Sequence, residues 1–85
     1  MANPGLISLQ NPPDTQTIYQ AKVAPMYRLT NNGPATLEVH YTDASNTGKS
    51  NDILRGRSMD YFATRILVQV KGTSGTAAGT YEFLA

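Results

Sequence analysis

The densest apolar alternation in the chain covers residues 58–71, S-M-D-Y-F-A-T-R-I-L-V-Q-V-K, between Gly56 and Gly72. Aromatic and β-branched residues are dense in it, and no Gly or Pro interrupts it. With a period of two, Phe62, Thr64, Ile66, Val68 and Val70 share one face, the pattern of a core strand. Met59, Tyr61, Ala63, Arg65, Leu67, Gln69 and Lys71 share the other. That second face mixes apolar and charged residues. Its Tyr61 and Leu67 predict burial on both sides of the strand or a subunit contact.

Shorter alternations surround this stretch. Residues 6–10, L-I-S-L-Q, lie between Pro4 and Pro12-Pro13. They predict a short edge strand, or an arm that docks through Leu6, Ile7 and Leu9 on a neighbouring subunit. Residues 17–23 predict a strand with Tyr19, Ala21 and Val23 on one face. Residues 26–30 predict another, with Tyr27 and Leu29 together and Arg28 outward. Asn31-Asn32-Gly33-Pro34 is the strongest turn signal, because Asn and Gly tolerate positive φ. It predicts a hairpin to a strand over 35–42, where Leu37, Val39 and Tyr41 alternate with Glu38, His40 and Thr42.

Residues 43–51 carry no large apolar side chain and predict a loop. A short strand over 52–55, a turn or bulge at Gly56-Arg57, a flexible loop over 72–79 and a strand over 80–84 complete the pattern. Nothing has a helical period. Six or seven short strands about ten residues apart predict an all-β fold, a small antiparallel β-sandwich of immunoglobulin-like or jelly-roll-like type. Residues 1–85 form one domain in this scheme, with 1–16 as a Pro-bounded N-terminal arm or edge strand.

Composition narrows the functional classes. A net charge of +1 with 15% charged residues argues against the dense cationic surface a nucleic-acid binder needs. No apolar window approaches a membrane helix, and the N-terminus lacks the basic and apolar regions of a signal peptide. With no cysteine, so small a core relies on packing, on β-ladder hydrogen bonds or on oligomerisation.

Candidate chemistry is sparse. Asp43, Ser45 and Thr47 before Gly48 partly match a calcium loop, but Leu54 stands where a bidentate Glu is needed. A plain solvated loop fits better. His40 is the sole histidine; it lies on the outer face beside Glu38 and cannot supply a two-imidazole metal site. The glycines at 72, 75 and 79 lack the Lys-Ser/Thr ending of a P-loop. Arg55 and Arg57 flank Gly56 and fit either an anion or, in the preferred assignment, ion pairs with Asp52 and Asp60.

The leading expectation is therefore a non-catalytic assembly or interaction module that forms a homo-oligomer through Tyr61, Leu67 and the Leu6-Ile7-Leu9 segment. The alternative is a glycan- or anion-binding module using Arg55, Arg57 and Tyr61. No nucleophile-base set, cofactor or metal cluster is called for.

Overall fold

A computed structural model of the chain describes residues 5–19, 26–42 and 47–84. Every regular element among them is a β-strand: β1 (Gly5–Leu9), β2 (Thr15–Tyr19), β3 (Met26–Pro34), β4 (Leu37–Thr42), β5 (Gly48–Ile53), β6 (Ser58–Phe62), β7 (Arg65–Val70) and β8 (Ala77–Phe83). They form two antiparallel four-stranded sheets, A in the order β1-β8-β3-β6 and B in the order β2-β7-β4-β5. The sheets pack face to face as a β-sandwich, as the alternation predicts, with eight strands rather than six or seven.

Strand periodicity builds the core. Ile7, Leu9, Tyr27, Leu29, Tyr61 and Ala77 point inward from sheet A. Ile18, Leu37, Val39, Ile53, Ile66, Val68 and Val70 meet them from sheet B. Each fully buried Leu, Ile, Val or aromatic side chain contributes about 1.5–3 kcal/mol. Without disulfides, this packing is the main favourable term.

The expected hairpin at 31–34 does not form. β3 runs straight through Asn31 to Pro34, and its neighbours are β6 and β8 in sheet A, while β4 lies in sheet B. Asn31 opposes Gly79 and Gly33 opposes Ala78, so Asn32 is the extra residue of a β-bulge. Gly33 takes the positive φ of 78°. The same Asn-Gly chemistry that suits a tight turn also suits a bulge. The choice is made by the Asn31 side chain, which is fully buried. Its Nδ2 donates to the carbonyls of Ala35 (2.9 Å) and Ile53 (2.8 Å), and its Oδ1 accepts from the Gly33 N–H (2.7 Å). Its backbone N–H donates to Arg57 O and its carbonyl accepts from Gly56 N–H.

The 58–71 stretch also divides. β6 belongs to sheet A and β7 to sheet B, and the chain crosses between sheets at Ala63-Thr64. The corner shifts the phase. Tyr61 and Ala63 point inward before it, and Ile66, Val68 and Val70 after it. Tyr61 is only 3% exposed, whereas Phe62, expected in the core, is 44% exposed. The Tyr27 hydroxyl donates to the Thr64 carbonyl (3.0 Å) and holds the corner from across the sandwich.

Three further expectations change. The N-terminal segment is an edge strand of its own sheet, with β1 antiparallel to β8, and Ile7 and Leu9 enter its own core. Residues 48–51, expected as loop, belong to edge strand β5, whose residues 48–52 need no burial; residues 43–46 and 20–25 lie outside the described residues. Residues 77–79 open strand β8 rather than closing a loop. At Gly79 the lack of a side chain reflects close approach, because a Cβ there would overlap the Thr30 carbonyl oxygen.

Replacing Asn31 with Ala strands two buried carbonyls and the Gly33 N–H. At about 1–3 kcal/mol for each unsatisfied group, N31A is expected to lose roughly 3–5 kcal/mol in denaturant titrations, a large part of a small domain's stability. A loss below about 1 kcal/mol would show that water or another side chain takes over these bonds.

Candidate functional surfaces

The residues singled out from sequence are dispersed. Tyr61 points into the core rather than outward, with its ring edge-on to Tyr41 at 5.0 Å between centroids. Ile7 and Leu9 are likewise core residues, while Leu6 is 77% exposed on the outer side of β1. Arg55 and Arg57 stand exposed on the 54–57 turn, where Gly56 has a φ of 81°. Neither forms the expected ion pair. Asp60 is taken by Arg28, whose Nε and Nη2 donate to its two carboxylate oxygens at 2.9 and 3.2 Å. Asp52 is taken by Lys71 at 2.6 Å. The Arg55 stem instead covers Gly33 so closely that a Cβ there would collide with it. Of the calcium-loop residues, Asp43 and Ser45 lie outside the described residues. Among the described residues no group of three His, Asp or Glu could hold a metal ion.

Leu67 keeps its place on the outer face of sheet B, half-buried. Across the sheet it aligns with Thr17 of β2 and His40 of β4, and His40 with Ser50 of β5. One row away, Tyr19 aligns with Arg65, and the guanidinium lies 5.3 Å from the Tyr19 ring centroid. Tyr19, His40, Ser50, Arg65 and Leu67 line an open concavity of about 810 Å³. Tyr19 was expected inside with Ala21 and Val23. The pattern instead buries Ile18 and leaves Tyr19 half exposed. Adjacent large apolar residues make that phase ambiguous in the sequence, and Arg65 carries no local signal at all.

A polar network borders the concavity. Gln69 donates to Glu38 Oε1 at 2.5 Å, and His40 Nε2 stands 3.3 Å from the same oxygen. The Gln69 amide first, and then His40, hold the Glu38 carboxyl below its ordinary pKa. This follows the expected Glu38–His40 contact and adds Gln69, which the register of β4 against β7 brings alongside.

The sheet edges differ sharply. β1 is closed by its own chain. The Gln16 side chain donates to Leu6 O (2.9 Å) and accepts from Ser8 N–H (3.1 Å), and Asp14 accepts from Gln10 N–H (2.8 Å). Side chains thus occupy backbone groups that would otherwise template a foreign strand. β5 is guarded by Lys49 and Asp52. β6, the outer strand of sheet A, has β3 on one side and, among the described residues, no strand on the other. Phe62 faces Met26 across β3, and the Leu84 N–H donates to Met26 O, giving an outer row Leu84–Met26–Phe62. Met59 adds a further exposed apolar side chain to this edge.

No family model matches the chain, and no curated protein or solved structure matches it either.

Two outcomes follow from these surroundings. The Tyr61 hydroxyl is buried without a hydrogen-bond partner, and burial pushes its pKa up. Tyr61→Phe removes an unsatisfied polar atom, so thermal and denaturant unfolding should show a stability equal to wild type or up to about 1 kcal/mol higher; a clear loss would reveal a hidden partner. Glu38, with its pKa lowered in the fold, stabilises above its unfolded pKa, and that contribution disappears as pH falls through the folded value. Relative to wild type, Glu38→Gln should be destabilised at neutral pH, with the difference closing below about pH 4. A difference that persists unchanged at pH 2 would exclude the carboxylate as its source.

Proposed function

We propose that this protein is a non-catalytic assembly module that associates with a second copy of itself through the β6 edge of sheet A. One observation supports this: in sheet A, β6 combines an open backbone edge with two exposed large apolar side chains, Met59 and Phe62, while the opposite edge strand β1 is sealed by Gln16 and Asp14. An edge strand with free N–H and C=O groups favours strand addition, in which main-chain bonds supply affinity and side chains set register.

A second copy suits the edge. Two identical β6 strands can pair antiparallel about a two-fold axis, so that each half satisfies the other. The charge at the centre of β6 does not oppose this. Arg28 binds Asp60 bidentately, and that hydrogen bond, then the charge, keeps the Asp60 carboxyl ionised below its ordinary pKa. Each copy thus brings a neutral pair rather than a bare carboxylate to the axis. Burial of Phe62, with Met26 and Leu84 beside it on the outer face, and of Met59 from the other face of the strand, would add apolar area to a small core.

Sedimentation velocity at high micromolar concentration is expected to give a dimer. Phe62→Lys changes an exposed side chain, so it should weaken association at least tenfold while leaving the melting temperature near wild type. A strictly monomeric wild type overturns the proposal. So does association that survives Phe62→Lys but is lost with Leu67→Asp, which would move the contact to sheet B.

A further inference from the structure

The concavity over sheet B is far from satisfied by its own residues. Arg65 and Lys49 line it, and among the described residues no Asp or Glu does. Among the described residues, neither cation has a carboxylate within ion-pair distance, whereas Arg28 and Lys71 each do. Glu38, the nearest carboxylate along β4, already accepts from Gln69 and stands against His40. The charged side chains among its described lining residues are thus both cations, in a protein whose net charge is only +1.

The remaining lining has a definite chemistry. Leu67 supplies an apolar floor. The half-exposed Tyr19 ring is steadied by the Arg65 guanidinium against it. His40, Ser50 and Thr42 offer polar atoms around that floor. An aromatic ring suits the apolar C–H face of a pyranose, and hydroxyl, imidazole and guanidinium groups suit its ring of hydroxyls. A guanidinium also binds a carboxylate through two parallel N–H donors. Two cations in a broad, open site match a singly charged sugar acid better than a polyphosphate, which demands converging N–H groups or a metal ion.

We propose that the outer face of sheet B is a binding site for an acidic saccharide, with a uronate carboxylate on Arg65, a sugar face against Tyr19 and Leu67, and Lys49 held for a neighbouring charge along the glycan. The site lies on the opposite sheet from the β6 edge, so either proposal can fail without the other.

The test is titration of the full chain with a uronic-acid oligosaccharide, followed by amide chemical shifts. Three control ligands accompany it: the carboxyl-reduced neutral oligosaccharide, polyglutamate and inorganic sulfate. Saturable shifts centred on residues 40, 65 and 67 with the uronate are expected. Binding should fall at least tenfold in Arg65→Gln and in Tyr19→Ala. Both positions are exposed, so folding is checked by unchanged melting and dispersion of the core signals. Absence of saturable uronate binding overturns the proposal. Equal binding of the neutral sugar, polyglutamate or sulfate overturns it too, as does uronate affinity unchanged in Arg65→Gln.

Discussion

The fold depends on one buried amide. Asn31 sits in the apolar interior with its side-chain oxygen and both amide hydrogens engaged, and with its backbone N–H and carbonyl bonded to the 54–57 turn. A buried amide is costly unless every partner is present, and here every partner is backbone. Those partners belong to three places: the bulge in β3, the approach to β4 at Ala35, and the end of β5 at Ile53. Asn31 therefore ties sheet A to sheet B at two of the places where the chain passes between them, β3 to β4 and β5 to β6. No apolar residue of similar size can do this, because it would leave two carbonyls and an N–H dry. Aspartate would keep the acceptor but set a charge against two carbonyl oxygens.

That tie decides what remains available for function. By fixing the 54–57 turn, it sets where β6 starts and so leaves β6 as the outer strand of sheet A. On the opposite flank, the Gln16 amide performs the role of a neighbouring strand for β1. One flank of the sandwich is thus closed by side chains and the other is open. The two outer faces differ as well. Sheet A carries the Arg28–Asp60 pair beside an apolar row, whereas sheet B carries a polar network around Leu67 and a cationic concavity. The asymmetry gives a protein this small two separate surfaces with different chemistry.

Much of the architecture was legible in the sequence. Alternation in 37–41 and 66–70 identifies two strands of sheet B, β4 and β7, and their inward residues, and short alternating segments with no helical period point to the fold class. Pairing was less legible. The Asn-Gly dipeptide encodes a positive φ, which serves a bulge as well as a hairpin, and only the buried partners of Asn31 distinguish them. The break at Ala63-Thr64 has no Gly or Pro to mark it. It is held by a hydroxyl from Tyr27, 37 residues away, so the phase of Tyr61 and Phe62 could not be read locally. The polar β5 and the small-residue start of β8 look like loops because one is an exposed edge and the other includes Gly79, pressed against the Thr30 carbonyl. The prominent face of Tyr61 and Leu67 resolved into one core residue and one surface residue for the same reason.

Native-state amide hydrogen exchange tests the central role of Asn31 most directly. If its side chain joins the sheets into one cooperative unit, the amides of Asn31 and Gly33 exchange only through global unfolding, with the same free energy as the amides of Val39 and Val68 in sheet B. Exchange of Asn31 and Gly33 through a local opening of much lower free energy, while sheet B stays protected, would contradict the account.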